Sequence, residues 1–331
     1  MRAKQFLPQL REKIEESDTT GRLRQFVIHR SNLKFGLTLM ALGFLKKMFF
    51  ADNIGLLVDK VFSNPIGMES FSIMLGAIAF GVQVYCDFSG YSDIAIGAAA
   101  IFGLKIPLNF NKPFFATSFS DFWSRWHISL SKWVRDYLYF PLGGNKSGKY
   151  SWYKNIILVF LISGLWHGAS WNFIIWGGLH GFYILTGSLL KKIKEHIFNF
   201  LKFNKNIFYY KIIQVIYTFI LVDFAWIFFR ANTFNDAIYI IRNFFIINSN
   251  VIYDKSLHNL GLDEKDLYLS ILLILFLLII QLIQRKINII DWINSKPIII
   301  RWSLYMIGIY SIIIFGFYAQ GDQTQFIYFQ F

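Results

Sequence analysis

The sequence has a single cysteine, Cys86, in 331 residues. It can form no internal disulfide and no cysteine-based metal cluster, and Cys86 reads as a residue packed within a helix. Charge is also scarce. Only 16% of residues are Asp, Glu, Lys or Arg, against roughly 25% in soluble domains, which excludes an ordinary water-soluble fold. No ten-residue alternation of apolar and polar residues marks a membrane β-barrel. The first 34 residues lack the apolar core of a signal peptide, and no internal repeat of the inverted-transporter kind is visible. The histidines show neither H-x-x-x-H nor H-E-x-x-H spacing and have no clustered carboxylate beside them, so a zinc site is rejected.

What the sequence has instead is apolar length. It is 55% hydrophobic with a mean hydropathy of +0.44. Runs such as "LYLSILLILFLLIIQLIQ" (267–284) carry no charge and approach the ~20 residues that span a bilayer. The fold class that follows is all-α: a polytopic membrane helical bundle with re-entrant and interfacial helices, a single domain over 1–331. The net charge of +13 would suggest nucleic acid in a soluble protein. Here the bases sit in loops between apolar runs, so the lipid bilayer is the expected partner and nucleic acid is not.

Residues 1–34 carry eight basic and four acidic side chains and read as an interfacial amphipathic helix. A first membrane segment, interrupted at Lys46-Lys47, covers about 35–62. The stretch from Phe71 to Leu104 is long enough for a spanning helix plus a second, glycine-rich one. Residues 105–154, with eight basic and two acidic side chains, leave the lipid as a cytoplasmic re-entrant or interfacial segment. A hairpin follows over 155–190, then spans over about 208–229, 267–284 and 302–319. Loops 105–154, 191–211 and 285–301 are basic and belong in the cytoplasm. Loop 231–266 has five acids and three bases and belongs outside, as does the tail "GDQTQFIYFQF".

Three stretches carry chemistry. In "YCDFSGYSDIAIG", Asp87 and Asp93 fall at hydrocarbon depth and must face protein or water. Read as one helix, 120–138 lines up Ser120, Ser124, His127 and Ser131 in a narrow stripe. Phe122, Trp126, Trp133 and Tyr137 form a second stripe, and Arg125, Lys132 and Arg135 the third side. An interfacial anchor explains the Trp and the bases; a functional face explains the Ser and His. In "SGLWHGASWN" (163–172), His167 lies between Gly164 and Gly168, a small-xxx-small spacing that Gly177 and Gly181 repeat on the second arm. Close backbones should hold His167 in packed protein, where a neutral imidazole suits a general base. His180 has Asn172 and Trp176 at i−8 and i−4; a helix–helix hydrogen bond is the competing reading. His29, His196 and His258 read as surface residues.

"QVYCDFSGYSDIAIGAAAIFGLKIPLNFNKPF", "DFWSRWHISLSKWVRDYLYFPLGGN", "LWHGASWNFIIWGGLHG" and the terminal "FIYFQF" together resemble the membrane-bound O-acyltransferases. The nearest branch is the alginate and peptidoglycan O-acetyltransferase membrane subunits, with teichoic acid D-alanylation subunits more distant. The resemblance implies that His167 is the family's signature histidine, His127 the second and His180 the branch-typical third. Asn172, Asp87, Asp93, Ser124 and Arg125 are possible supporting residues, with the two aspartates tuning histidines or capping broken helices. No permanently bound cofactor and no metal are implied. The substrate would be an acyl thioester, acetyl-CoA or an acyl carrier protein, on the cytoplasmic side of a bacterial inner membrane. The acyl group would pass through the protein to a polysaccharide acceptor, with a periplasmic SGNH-type esterase-fold partner finishing the transfer. "PLGGNKSGK" (141–149) lacks the G-x-x-x-x-G-K-[ST] order of a phosphate loop and reads as a solvated turn or a hold on the donor's phosphates. Family members of this type carry additional N-terminal helices, so the chain is expected to be short at that end and complete at the other. The rival expectation is a truncated, non-catalytic membrane scaffold or transporter-like subunit.

Overall fold

A computed structural model of the chain describes residues 2–18, 29–146, 148–202, 204, 207–244, 246, 263–316 and 326. In chain order its helices are α1 (Ala3–Asp18), α2 (Arg30–Phe44), α3 (Asp52–Ser63), α4 (Ser70–Ile101), α5 (Phe119–Arg125), α6 (Ile128–Val134), α7 (Lys149–His167), α8 (Trp171–Phe200), α9 (Phe208–Arg230), α10 (Phe234–Phe244), α11 (Glu264–Gln284), α12 (Ile289–Asn294) and α13 (Ile298–Phe315). Short π-helical stretches, Leu45–Ala51 and Arg135–Tyr139, continue α2 and α6. No β-strand occurs among the described residues. Five helices, α4, α8, α9, α11 and α13, are long and apolar enough to cross a membrane. The protein is an all-α, multi-pass membrane protein. His258, the middle of loop 231–266 and most of the C-terminal tail lie outside the described residues.

The chain divides into two compact units. The first comprises residues 1–55, 82–108 and 268–330, and the second residues 56–81 and 109–267 with residue 331. In the first unit, α1 ends at Asp18 and α2 already begins at Arg30, so residues 1–34 are not one helix. The Gln9 side chain of α1 ties to the backbone of Lys105 both as donor and as acceptor.

Two expectations for this unit are corrected. The stretch from Phe71 to Leu104 is not two helices but one, α4, since no proline breaks it. Its glycines serve packing instead. A Cβ at Gly90 would lie 2.7 Å from the Gly43 carbonyl oxygen, and one at Gly97 would lie 2.6 Å from that of Gly36. Nor does the Lys46-Lys47 pair interrupt the first segment; helical backbone runs through it as a π turn. Lys46 Nζ lies 2.6 Å from Asp93, and Lys47 Nζ lies 2.7 Å from Asp87 and 2.9 Å from Asp52. Asp87 and Asp93 thus hold lysines of their own unit on an unbroken helix. They cap no broken helix and belong to a different unit from the three candidate histidines.

The second unit is organised by the α7–α8 hairpin. A Cβ at Gly164 would collide with the Phe173 carbonyl oxygen, and one at Gly177 with that of Phe160, so the arms touch backbone to backbone, as the glycine spacing predicts. Gly168 closes α7 in an extended conformation, and the Ser170 hydroxyl caps α8 by accepting from the Asn172 N–H at 3.3 Å. The arms are unequal. The largely apolar part of α7, broken by Ser163, covers only 156–165, about 15 Å of helix, and α7 is not among the helices long and apolar enough to cross.

Candidate active site

The break that builds the site lies at His127. The expected single helix over 120–138 does not form: α5 stops at Arg125, His127 takes a left-handed conformation (φ 42°, ψ 53°), and α6 begins at Ile128. The residues beside the break make it possible. The Arg125 carbonyl accepts from the Asn111 N–H at 2.9 Å, the Ile128 N–H donates to the Asn109 carbonyl at 3.0 Å, and the Ser129 N–H donates to Asn109 Oδ1 at 3.2 Å. Segment 109–111 therefore satisfies helix-end groups that a continuous helix would have paired internally. At the other end of α5, Ser118 Oγ caps the Asp121 N–H at 3.2 Å, and Asp121 accepts from the Thr117 N–H at 3.0 Å. A left-handed non-glycine residue costs energy and concentrates at functional sites.

The break also dissolves the predicted stripe. His127 is buried, whereas Ser120 and Ser124 are exposed. Ser124 Oγ donates to the Asp121 carbonyl at 2.7 Å, and Arg125 Nε donates to the Asp121 carboxylate at 2.6 Å. Both side chains are spent on the α5 turn. The aromatic stripe splits in the same way: Phe122 and Trp126 are buried, Trp133 and Tyr137 exposed.

His167 is the last residue of α7, at the hairpin's tip. It is half-buried. Its ring meets Trp176 at 5.1 Å and Phe229 at 5.0 Å between centroids, both edge-on. His180, three turns into α8, is fully enclosed. It meets Trp176 at 5.0 Å and Trp123 at 5.0 Å, and its Nδ1 accepts from the Trp123 indole N–H at 3.3 Å. Asn172 Nδ2 donates to the Ala231 carbonyl at 3.0 Å and pins the start of α8 to the end of α9. Burial pushes the His127 imidazole down to about 3, and the nearby His167 pushes the same way. At neutral pH it is an uncharged ring that resists protonation.

The second unit therefore brings His127, His167, His180 and Asn172 together, while Ser124 and Arg125 stay local to α5. Sequence reasoning missed Trp123 and Asp223 and gave Trp176 no role beyond its spacing from His180. Trp123 reaches His180 from α5, and Trp176 lies between His167 of α7 and His180, relations across helices that spacing along one helix cannot show. Asp223, on α9, is 1% exposed, and neither carboxylate oxygen finds a hydrogen-bond partner among the described residues. Asp223 and Trp226 both pack against Gly81. Its signal was available: it is the lone acid in "FILVDFAWIFF".

No group of three or more His, Cys, Asp or Glu able to hold a metal occurs among the described residues. The turn 141–146 is stapled to α7 by Asn155, whose Nδ2 donates to the carbonyls of Leu142 and Gly144 at 2.9 and 3.0 Å.

The sequence model of the membrane-bound O-acyltransferase family, MBOAT, matches residues 2–229. The peptidoglycan O-acetyltransferase of Helicobacter pylori is 38% identical over 224 residues, 68% of this chain and 41% of that protein. The probable alginate O-acetylase AlgI of Pseudomonas aeruginosa is 38% identical over 245 residues, 73% of this chain and 44% of its own length. The teichoic acid D-alanyltransferase of Bacillus subtilis is 30% identical over 212 residues, 60% of this chain and 51% of that protein. The chain spans less than half the length of the first two relatives.

Proposed function

The chain belongs to the membrane-bound O-acyltransferase family, and from that membership we propose that its histidine cluster transfers an acyl group from a thioester to a hydroxyl. The observation that carries the reading is His167 at the hairpin tip, near enough to His127 at the α5–α6 break to act on it electrostatically. His127 is buried and uncharged, and His167 is half-buried with no hydrogen bond restraining its ring among the described residues. His167 is the general base. It takes the proton of the acceptor hydroxyl as that oxygen bonds to the carbonyl carbon. It returns the proton to the sulfur when the C–S bond breaks. His127 orients donor or acceptor.

The finer reading adds direction. The donor is acetyl-CoA or an acyl carrier protein in the cytoplasm, where the basic loops 105–154, 191–211 and 285–301 favour an anionic carrier. An apolar arm of about 15 Å brings His167 to about mid-depth in a hydrocarbon layer ~30 Å thick. That depth suits handover to the far side of a bacterial inner membrane. The names of the relatives support a polysaccharide or cell-wall acceptor of the peptidoglycan or alginate kind. A periplasmic SGNH-type partner would complete the transfer.

The test is His167→Ala in the producing cell, reading ester-linked acetate on wall and secreted polysaccharide. Loss of acetate with the protein still in the membrane is expected. Unchanged acetate would leave a non-catalytic membrane subunit as the surviving description.

A further inference from the structure

Trp176 and His180 stand one helical turn apart on α8, and each buries a ring nitrogen, Nε1 and Nε2, that has no hydrogen-bond partner among the described residues. The state of the His180 nitrogen follows from its neighbour. An indole N–H can only donate, and that of Trp123 donates to His180 Nδ1. Nδ1 therefore offers a lone pair, and the ring proton sits on Nε2. Nε2–H and the Trp176 indole N–H are thus two donors without acceptors among the described residues, on residues 0% and 3% exposed. Buried donors are nearly always paired in folded proteins, because leaving one unmade is costly. Here two adjacent donors lie on one helix face, and the ring of His167 packs edge-to-face with that of Trp176.

We propose that Trp176 Nε1–H and His180 Nε2–H bind the carbonyl oxygen of the acyl group and hold it as it becomes an oxyanion. This assignment rests on the acyl-transfer reading above and adds the group that receives the charge. Two hydrogen bonds of ordinary length meeting at one oxygen place their donors about 4–5 Å apart. The ring centroids lie 5.0 Å apart, a spacing compatible with one oxygen accepting from both. As the acceptor oxygen bonds to the carbonyl carbon and His167 takes its proton, the carbonyl π pair moves onto oxygen. The two N–H groups stabilise that charge. When the C=O bond re-forms, the C–S bond breaks, and the thiolate takes the proton from His167.

The character of the donors selects the substrate. Neither is a cation, so the site suits a neutral thioester carbonyl whose charge appears only during reaction. A phosphate or carboxylate, charged from the start, would meet no counter-charge. Phe122, Phe160 and Phe229 ring the two residues and exclude water, which strengthens hydrogen bonds to a developing charge.

The competing assignment is packing alone, with the His180 and Trp176 rings meeting edge-to-face. The experiment uses membranes carrying the protein as the cell makes it, with acetyl-CoA as donor and thiol release as readout. Trp176→Phe keeps an aromatic face and removes the N–H. It should lower kcat roughly 10²-fold, with KM for acetyl-CoA changing less than about threefold. His180→Gln, which retains an N–H donor, should keep more activity than His180→Leu. If Trp176→Phe does not accumulate, 3-benzothienylalanine at position 176 replaces the N–H with sulfur at nearly the same volume and should show the same loss. Wild-type kcat in the variant lacking the Trp176 N–H, with His167→Ala inactive, overturns the proposal and leaves packing. Full activity in His167→Ala overturns the acyl-transfer reading beneath it.

Discussion

Lys47 and Asp223 are both buried charged-type residues in apolar surroundings, and the two units treat them in opposite ways. In the first unit Lys47 is held between Asp87 and Asp52, and Lys46 is bonded to Asp93. In the second, the Asp223 oxygens, the Asn172 side-chain oxygen, Trp176 Nε1 and His180 Nε2 are buried without partners among the described residues. A buried ion pair whose members satisfy each other has no capacity left for a ligand; its work is to keep α2, the π turn and α4 in register. Unmet donors and acceptors store affinity for something that enters. The first unit also buries Gln83 Oε1, Gln281 Nε2 and Asn294 Oδ1 without partners among the described residues; what sets the second apart is that its unmet atoms include ring nitrogens of the histidine cluster itself.

The contrast is sharpest at His167. Its replacement by alanine should reduce acyl transfer by about 10³-fold or more, while detergent-extracted protein keeps its thermal midpoint. Lys47→Met should do the reverse. It strands Asp87, costs about 3–5 kcal/mol of stability and depletes the protein from the membrane; Lys47→Met with Asp87→Leu should recover much of that loss. If Lys47→Met instead gave stable, inactive protein, the division between architecture and chemistry would fail. Gly177→Ala presses a methyl group onto the Phe160 carbonyl oxygen and should cost about 1–3 kcal/mol, read as a lower melting midpoint. His127 sets a pH limit. Its imidazole falls to about 3 in the fold from an ordinary 6.5. The unfolded chain therefore binds the proton more readily. The contribution is fully present above pH 6.5 and is lost as pH falls toward 3, by at most about 1.4 kcal/mol per unit. His127→Gln should flatten that acid limb in a melting-midpoint series. Trp123→Phe, which frees His180 Nδ1, should have the smallest effect, about 1 kcal/mol, seen as a several-fold fall in activity.

Much of this was legible beforehand, and the misses share a cause. The Gly164/Gly168 and Gly177/Gly181 spacing predicted a tight hairpin, and α7 and α8 form one. His127, His167 and His180 were named from motifs, and the fold places all three in one unit. Each failed expectation assumed an uninterrupted or an interrupted helix from local composition. Residues 120–138 contain no Gly or Pro, yet the helix breaks at His127, because Asn109 and Asn111, up to twenty residues upstream, take over its hydrogen bonds. The Lys46-Lys47 pair looked like an interruption, but carboxylates about forty residues downstream neutralise it. Asp87 and Asp93 drew attention as buried acids, and the lysines explain them; Asp223 drew none and has no such explanation.

Apolar run length, sparse charge and glycine spacing by themselves determined a multi-pass helical protein with a close-packed hairpin, since helix length and backbone approach are set by residues near in sequence. Which polar groups are paired, which are left open, and which rings surround each histidine depended on segments far apart in the chain. Only tertiary packing decided those, because a hydrogen bond needs its two atoms within about 3 Å, a condition that no one-dimensional pattern specifies.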